Sequence, residues 1–160
     1  NDKNFSIRYP KSSSINYNEN LDSKLLEIGS WELLNHGENT AILAVGSMVN
    51  IVINSLDEIN KQLKFKPSVI NSRFIKPFDI KMLSYLCNEH KNIITVEEGV
   101  LNGGFGSAIS DYLHDNNFDN KLYRIGIPDN FIQHGTRDEL LDELGFSSDN
   151  IINILKKLNK

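Results

Sequence analysis

One run of the sequence stands out: Thr95-Val96-Glu97-Glu98-Gly99-Val100-Leu101-Asn102-Gly103-Gly104-Phe105-Gly106-Ser107. Its pattern predicts a buried strand that stops at the two carboxylates, a glycine-rich turn and the start of a helix. Four of the eight residues 99–106 are glycine, so the backbone rather than side chains should shape the turn. Because ligands and neighbouring domains meet the sheet of an α/β protein at such strand ends, we expect function at this end of the domain.

Short apolar runs and helical periodicity alternate on both sides of this turn. The pattern predicts strands at residues 25–28 and 31–34 (or one bent strand around Gly29), and at 40–45, 69–71, 92–96 and 122–127. It predicts helices over residues 49–63, 80–87 and 107–113. Thr136 and Glu139 have capping-box spacing for a further helix that ends at Gly145, and Ser148 is expected to cap the last one. This order predicts the α/β class: a three-layer sandwich around a mostly parallel mixed sheet of about five strands.

The amino-terminal residues have a different pattern from the rest of the chain. Phe5, Ile7 and Tyr9 alternate with Ser6 and Arg8, which is the period of a half-buried strand that Pro10 would end. Residues 11–23 are mostly polar and predict a linker. We therefore expect residues 1–10 to be the last strand of a preceding domain and residues 24–160 to form the α/β domain.

Composition narrows the range of partners. The net charge of −4 argues against a nucleic-acid surface, which would need clustered Lys and Arg. No apolar run is long enough to span a membrane. Cys87 is the single cysteine and lies in an apolar helical pattern, which favours a buried thiol over a nucleophile.

The glycine-rich turn does not match the known phosphate-binding motifs. A dinucleotide fingerprint would need a third glycine where Ile109 stands, and no lysine follows as a phosphate-binding loop would require. The free N–H groups of the following helix could still hold an anion weakly. A plain structural turn is the favoured interpretation.

Neither the carboxylates nor the histidines form an obvious catalytic or metal constellation. Glu97 and Glu98 are adjacent on a strand, so their side chains should leave opposite faces and cannot converge on one bond. We expect one of them to cap the amides of the turn and the other to face a partner. None of the four histidines has metal-ligand spacing. The sequence thus predicts no catalytic, cofactor-binding or metal-binding residue within this chain.

Arg8 is the candidate binding residue. It lies on the face of its predicted strand opposite Phe5, Ile7 and Tyr9, with Lys11 three residues further on. A guanidinium suits a phosphate because it can donate two parallel hydrogen bonds. A solvated charge on an edge strand would give the same pattern.

Six segments, taken in order, resemble the carboxyl-terminal domain of the transketolase family, and most nearly its 1-deoxy-D-xylulose-5-phosphate synthase branch. They are Arg8-Tyr9-Pro10-Lys11, Thr40-Ala41-Ile42-Leu43-Ala44-Val45-Gly46-Ser47-Met48, Asn71-Ser72-Arg73-Phe74-Ile75-Lys76-Pro77-Phe78-Asp79, Thr95-Val96-Glu97-Glu98-Gly99 with Gly103-Gly104-Phe105-Gly106-Ser107, Ile125-Gly126-Ile127-Pro128-Asp129, and Phe131-Ile132-Gln133-His134-Gly135.

The resemblance implies an enzyme that condenses pyruvate with D-glyceraldehyde 3-phosphate with loss of CO2, using thiamine diphosphate and Mg²⁺. It implies that two preceding domains of the same chain bind the cofactors, and that this domain packs against them and contributes to a homodimer. Arg8 matches the family's arginine that contacts the substrate phosphate. Ser12 stands where the family's motif continues with glycine.

Two alternatives stay open from the sequence. One is the carboxyl-terminal assembly domain of a 2-oxo-acid dehydrogenase beta subunit or of a transketolase, and the other is a free-standing, flavodoxin-like ligand-binding module. Asparagine makes up 21 of 160 residues, a bias typical of AT-rich genomes. With the pathway that the resemblance implies, this bias suggests a plastid, specifically an apicoplast.

Overall fold

A computed structural model describes residues 4–9 and 25–158. Its sheet has five strands, which span Glu32–Asn35 (β1), Thr40–Ala44 (β2), Ser68–Asn71 (β3), Asn92–Val100 (β4) and Lys121–Ile127 (β5). The spatial order is β1-β3-β2-β4-β5. Strand β1 runs antiparallel to β3, and the other neighbouring pairs are parallel. The predicted mostly parallel mixed sheet is confirmed.

Five helices connect and cover these strands in the described part of the chain. They span Met48–Leu63 (α1), Ile80–Glu89 (α2), Phe105–Asp115 (α3), Arg137–Glu143 (α4) and Ser148–Leu158 (α5). Within residues 4–9 and 25–158, no helix combines the length and the apolar character that crossing a bilayer requires.

Strand β2 shows why the fold has three layers. All five of its residues are buried, so both of its faces are covered. Ala41 and Leu43 belong to an apolar cluster with buried residues of α2 and α3, whereas Ile42 and Ala44 belong to a second cluster with α1 and α5. Because successive strand residues point to opposite faces, one short apolar run supplies both cores.

The predicted strand at residues 25–28 is wrong. The backbone turns there instead, with Gly29 at φ +85° and the N–H of Ser30 donating to the carbonyl of Glu27 at 3.1 Å. Leu25 is fully exposed and Ile28 is 44% exposed, so these side chains have no core to bury against. The strand that follows is Glu32–Asn35 rather than residues 31–34.

Three further boundaries differ from the prediction. Strand β4 does not stop at the two carboxylates but continues to Val100, with its register against β5 broken between Val96 and Val100. Helix α3 begins at Phe105, two residues before Ser107. At the start of α5 the capping oxygen belongs to Ser147, which accepts from the N–H of Asn150 at 3.3 Å, and not to Ser148.

Residues 4–9 are exposed and carry no strand assignment. Their side chains Phe5, Ile7 and Tyr9 are 63%, 81% and 80% exposed. The predicted linker, residues 11–23, lies outside the described residues. The division into a preceding domain, a linker and an α/β domain therefore stays a prediction.

Candidate functional site

The carboxyl ends of the parallel strands bring together the glycine-rich turn, the β2–α1 turn and the start of α4. Glu97 contacts the glycine-rich turn. Its buried carboxylate accepts two hydrogen bonds from the start of α3, from the N–H of Phe105 at 2.8 Å and of Gly106 at 2.7 Å. These N–H groups have no partner within the helix, and the helix dipole favours a negative charge beside them. Glu97 is thus the carboxylate that caps the turn.

Glu98 points to a different set of partners. Its carboxylate accepts hydrogen bonds from the guanidinium of Arg137 at 2.7 Å and from the hydroxyl of Ser47 at 3.0 Å. Arg137 also donates to Ser47 Oγ at 3.1 Å, so the three side chains form a closed triangle. Ser47 lies in the β2–α1 turn and Arg137 is the first residue of α4. The triangle therefore ties three elements together at one edge of the sheet.

The environment of Glu98 keeps it ionised. Burial, the largest single influence, raises the pKa of this carboxyl group. Hydrogen bonds from Arg137 and Ser47, with the positive charges of Arg137 and Arg8, outweigh burial and bring the pKa below its ordinary value of 4.5. An ionised carboxylate that is already paired is a weak proton acceptor, so Glu98 is poorly suited to act as a general base.

Arg8 reaches the same place from the amino-terminal segment. Its Nη2 donates to the backbone carbonyl of Glu98 at 2.8 Å. Strand pairing is irregular at residues 97–99, which leaves this carbonyl available. The structure brings Arg8 and Glu98 together, an arrangement that no sequence pattern indicated. Lys11, the predicted neighbour of Arg8, lies outside the described residues.

The Arg73–Asp79 turn contacts the chain around Trp31. Arg73 donates to the carbonyl of Ser30 at 3.0 Å and lies 3.5 Å from a carboxylate oxygen of Glu32. Asp79 caps α2 by accepting from the N–H of Met82, and its second oxygen accepts from the N–H of Trp31, each at 2.9 Å. These polar groups are engaged inside the domain.

An apolar cavity of about 400 Å³ opens beside the Glu98–Arg137 pair. Its walls come from the end of β5, the loop that follows it, α4 and the residues just after α4: Ile127, Ile132, Gly135, Leu140, Leu141, Leu144 and Phe146. A second, more polar hollow of about 750 Å³ lies at the opposite end of the sheet, around Asn120.

The remaining candidate groups have structural surroundings. Burial raises the pKa of the Cys87 thiol to about 11, so it stays protonated near neutral pH. The buried His90 ring lies between the carbonyl of Leu86 at 3.1 Å and the hydroxyl of Ser68 at 2.9 Å. Over residues 4–9 and 25–158, no three His, Cys, Asp or Glu side chains are grouped so that they could hold a metal ion.

Sequence reasoning did not single out Arg137. The capping box of Thr136 and Glu139 is present as predicted, and it fixes Arg137 at the first position of α4. That signal was available in the sequence. Which strand end the helix start would meet depends on how α4 packs, and no local pattern contains that information.

Comparison with known proteins gives a consistent result. The family model described as "Transketolase, C-terminal domain" matches residues 29–151. Proteins named 1-deoxy-D-xylulose-5-phosphate synthase from Bacillus velezensis and from Geobacillus sp. (strain WCH70) are each 37% identical over 153 residues, which is 95% of this chain and 24% of theirs. The chain thus spans about a quarter of the length of these relatives.

Solved structures support the fold. A chain described as "Split gene transketolase, inactive beta4 tetramer" superposes with a TM-score of 0.75 and 22% identity, covering 83% of this chain and 43% of that one. Transketolase from Campylobacter jejuni gives a TM-score of 0.58 and 22% identity, covering 81% of this chain and 18% of that one. From the family match, the relatives and the fold, we conclude that the chain belongs to the transketolase C-terminal domain family.

Proposed function

We propose that this chain is the carboxyl-terminal domain of a 1-deoxy-D-xylulose-5-phosphate synthase. Such an enzyme joins pyruvate to D-glyceraldehyde 3-phosphate with loss of CO2, the first step of the non-mevalonate route to isoprenoids. The observation that carries the proposal is that relatives with this name are 37% identical across 95% of the chain.

Within that enzyme we assign the domain a supporting role. Preceding domains of the same longer chain would hold thiamine diphosphate and Mg²⁺, and the thiamine would supply the carbanion chemistry there. In the described part of this chain both strand-end carboxylates already have partners, since Glu97 accepts from two backbone N–H groups and Glu98 accepts from Arg137 and Ser47. What this domain contributes is packing against those domains, contacts in a homodimer, and Arg8.

We assign Arg8 to the phosphate group of the aldehyde substrate. Its side chain has one hydrogen bond within the described residues, to the carbonyl of Glu98, and the rest of its guanidinium fork is available to an anion. The segment that carries Arg8 exposes Phe5, Ile7 and Tyr9, which suits a segment that packs against another domain. A plastid location, the apicoplast, fits the asparagine-rich composition and the pathway, and fusing the natural amino terminus to a fluorescent protein tests it.

The first test compares this chain with the full-length protein. Each is assayed with pyruvate, D-glyceraldehyde 3-phosphate, thiamine diphosphate and Mg²⁺. We expect product from the full-length protein and none above background from residues 1–160. A full-length protein that does not condense these two substrates disproves the proposed activity, and turnover by the isolated chain disproves the supporting role.

The second test concerns Arg8 in the full-length protein. Arg8→Ala should raise KM for D-glyceraldehyde 3-phosphate, because a hydrogen bond to a charged group is worth about 1.5–3 kcal/mol. KM for pyruvate should stay unchanged. Unphosphorylated D-glyceraldehyde is the control substrate, and its kinetic constants should be insensitive to the substitution. An unchanged KM for the phosphorylated aldehyde removes Arg8 from the site.

A further inference from the structure

We propose that Arg137 is a positioning residue that holds the Glu98 carboxylate away from Arg8 and so leaves the Arg8 guanidinium available to the substrate phosphate. The inference rests on the proposed function, which assigns that phosphate to Arg8. It adds a residue of this domain, on a different element, that controls how well Arg8 binds.

The geometry contains two guanidinium groups and one carboxylate. Arg137 binds the Glu98 carboxylate at 2.7 Å, whereas Arg8 binds the backbone carbonyl of the same residue at 2.8 Å. Among the described residues, Arg8 makes no ion pair. The side chain of Glu98 is therefore committed to one arginine while its backbone holds the other in place.

The alternative pairing is within reach. Arg8 is close enough for its charge to lower the pKa of Glu98, and the side chain of Glu98 is 33% exposed, so it has room to change rotamer. Among the described residues, Arg8 is the other cation whose charge lowers the pKa of Glu98. A carboxylate and a phosphate compete for the same guanidinium fork, since both accept two parallel hydrogen bonds from it.

Arg137 is held where it can prevent this exchange. The capping box of Thr136 and Glu139 fixes the first turn of α4, and Ser47 accepts a hydrogen bond from Arg137 at 3.1 Å. Leu141 of the same helix packs against the buried core cluster that contains Phe146 and Ile151. The guanidinium thus comes from a fixed helix end and not from a free surface side chain.

The experiment uses the full-length protein and measures steady-state kinetics with both substrates. Arg137→Ala should raise KM for D-glyceraldehyde 3-phosphate about three- to fivefold, the change that a partly exposed ion pair can produce, with KM for pyruvate unchanged. Adding Glu98→Gln to this variant should restore KM, because the competing carboxylate is gone. Arg137→Lys should keep most of the native affinity.

A purely structural role for Arg137 predicts a different result. The double variant would then be as impaired as Arg137→Ala or more so, since it loses both members of the pair. An unchanged KM in Arg137→Ala, or no recovery in the double variant, overturns the inference. Lys61→Ala, which removes an exposed ion pair with Glu58 at 3.6 Å on α1, is the matched control and should leave both KM values unchanged.

Failure of this inference is separable from failure of the proposed function. If Arg8→Ala raises KM for D-glyceraldehyde 3-phosphate and Arg137→Ala leaves it unchanged, only the role of Arg137 is refuted. If Arg8→Ala leaves KM for D-glyceraldehyde 3-phosphate unchanged, both the assignment of the phosphate to Arg8 and the inference about Arg137 are refuted. Absence of condensation by the native protein refutes the activity itself.

Discussion

Glu97 and Glu98 are neighbours in sequence but bind different kinds of partner. Glu97 is 4% exposed and its two oxygens are occupied by the first amides of α3. Glu98 is partly exposed and is occupied by side chains from two other elements. The alternation of a strand explains the separation, because consecutive side chains leave opposite faces.

Glu97→Gln should destabilise the fold. The amide retains one acceptor but directs an NH2 group at the second backbone N–H, so a charge-assisted hydrogen bond is lost at a buried site. We expect the free energy of unfolding, measured by urea titration of the chain, to fall by about 1.5–3 kcal/mol. Asp57→Asn, at an exposed position on α1, should leave it nearly unchanged. Equal effects of the two variants would contradict the role assigned to Glu97.

The stability of the chain should depend on the charge of Glu98 below its ordinary pKa. Because the folded-state pKa is lowered from 4.5, Glu98 contributes stability above that pH and loses it as the pH falls through the folded value. Glu98→Gln removes the titrating carboxyl group itself, whichever arginine it pairs with. Urea midpoints between about pH 6 and pH 3 should therefore fall less steeply in the variant than in the native chain.

The control for this pH dependence is Lys121→Ala. Lys121 is exposed and makes no ion pair within the described residues. Its removal should leave the difference between the urea midpoints at the two ends of the pH range as it is in the native chain. A native-like dependence of the urea midpoint on pH in Glu98→Gln would show that this carboxylate does not contribute to the acid sensitivity.

At the level of elements, the glycine-rich turn joins β4 to α3 by close backbone approach. Gly104 has ordinary backbone angles, but a Cβ there would collide with the carbonyl oxygen of Val100 and lie 2.7 Å from Glu97 Oε2. Gly103, in contrast, has φ +77° and open space around the missing Cβ. One glycine is needed for space and its neighbour for conformation.

Alanine at these two positions should have different costs. Gly104→Ala introduces a clash at the Glu97 cap and should cost about 3 kcal/mol, at the upper end of overpacking effects. Gly103→Ala introduces only left-handed strain and should cost about 1–2 kcal/mol. Urea unfolding of both variants tests the order. A larger loss for Gly103→Ala would contradict the close approach at Gly104.

Across the whole molecule, the sheet separates two apolar clusters that are supplied by distant parts of the chain. Helix α5 closes one of them by packing on α1, and its residues Ile151, Ile152 and Leu155 are buried in that cluster. The last helix therefore belongs to the core and is not an appendage.

Ile151→Ala tests the contribution of α5 to the core. Ile151 is fully buried, so the substitution should cost about 2–5 kcal/mol through lost burial and the cavity left behind. Leu25→Ala, at a fully exposed apolar position, is the control and should change the free energy of unfolding by less than about 0.5 kcal/mol. A small loss in Ile151→Ala would indicate that α5 is loosely attached.

Local sequence was sufficient for most of the elements and for the faces that they bury. The apolar run at β2, the periodicity of α1 and the capping box of α4 each depend on residues close together in the chain, and all three are present. The strand predicted at residues 25–28 failed because a strand needs a partner and a buried face, and that turn has neither.

Only the tertiary structure decided where the polar side chains meet. Three side chains that are as much as 129 positions apart in the sequence all contact Glu98. Ser47 and Arg137 donate to its carboxylate, and Arg8 donates to its backbone carbonyl. Sequence patterns report hydrophobicity and backbone preference over a few residues. The position at which separate strand ends and helix starts converge depends on strand order and crossovers, which are set when the whole chain packs.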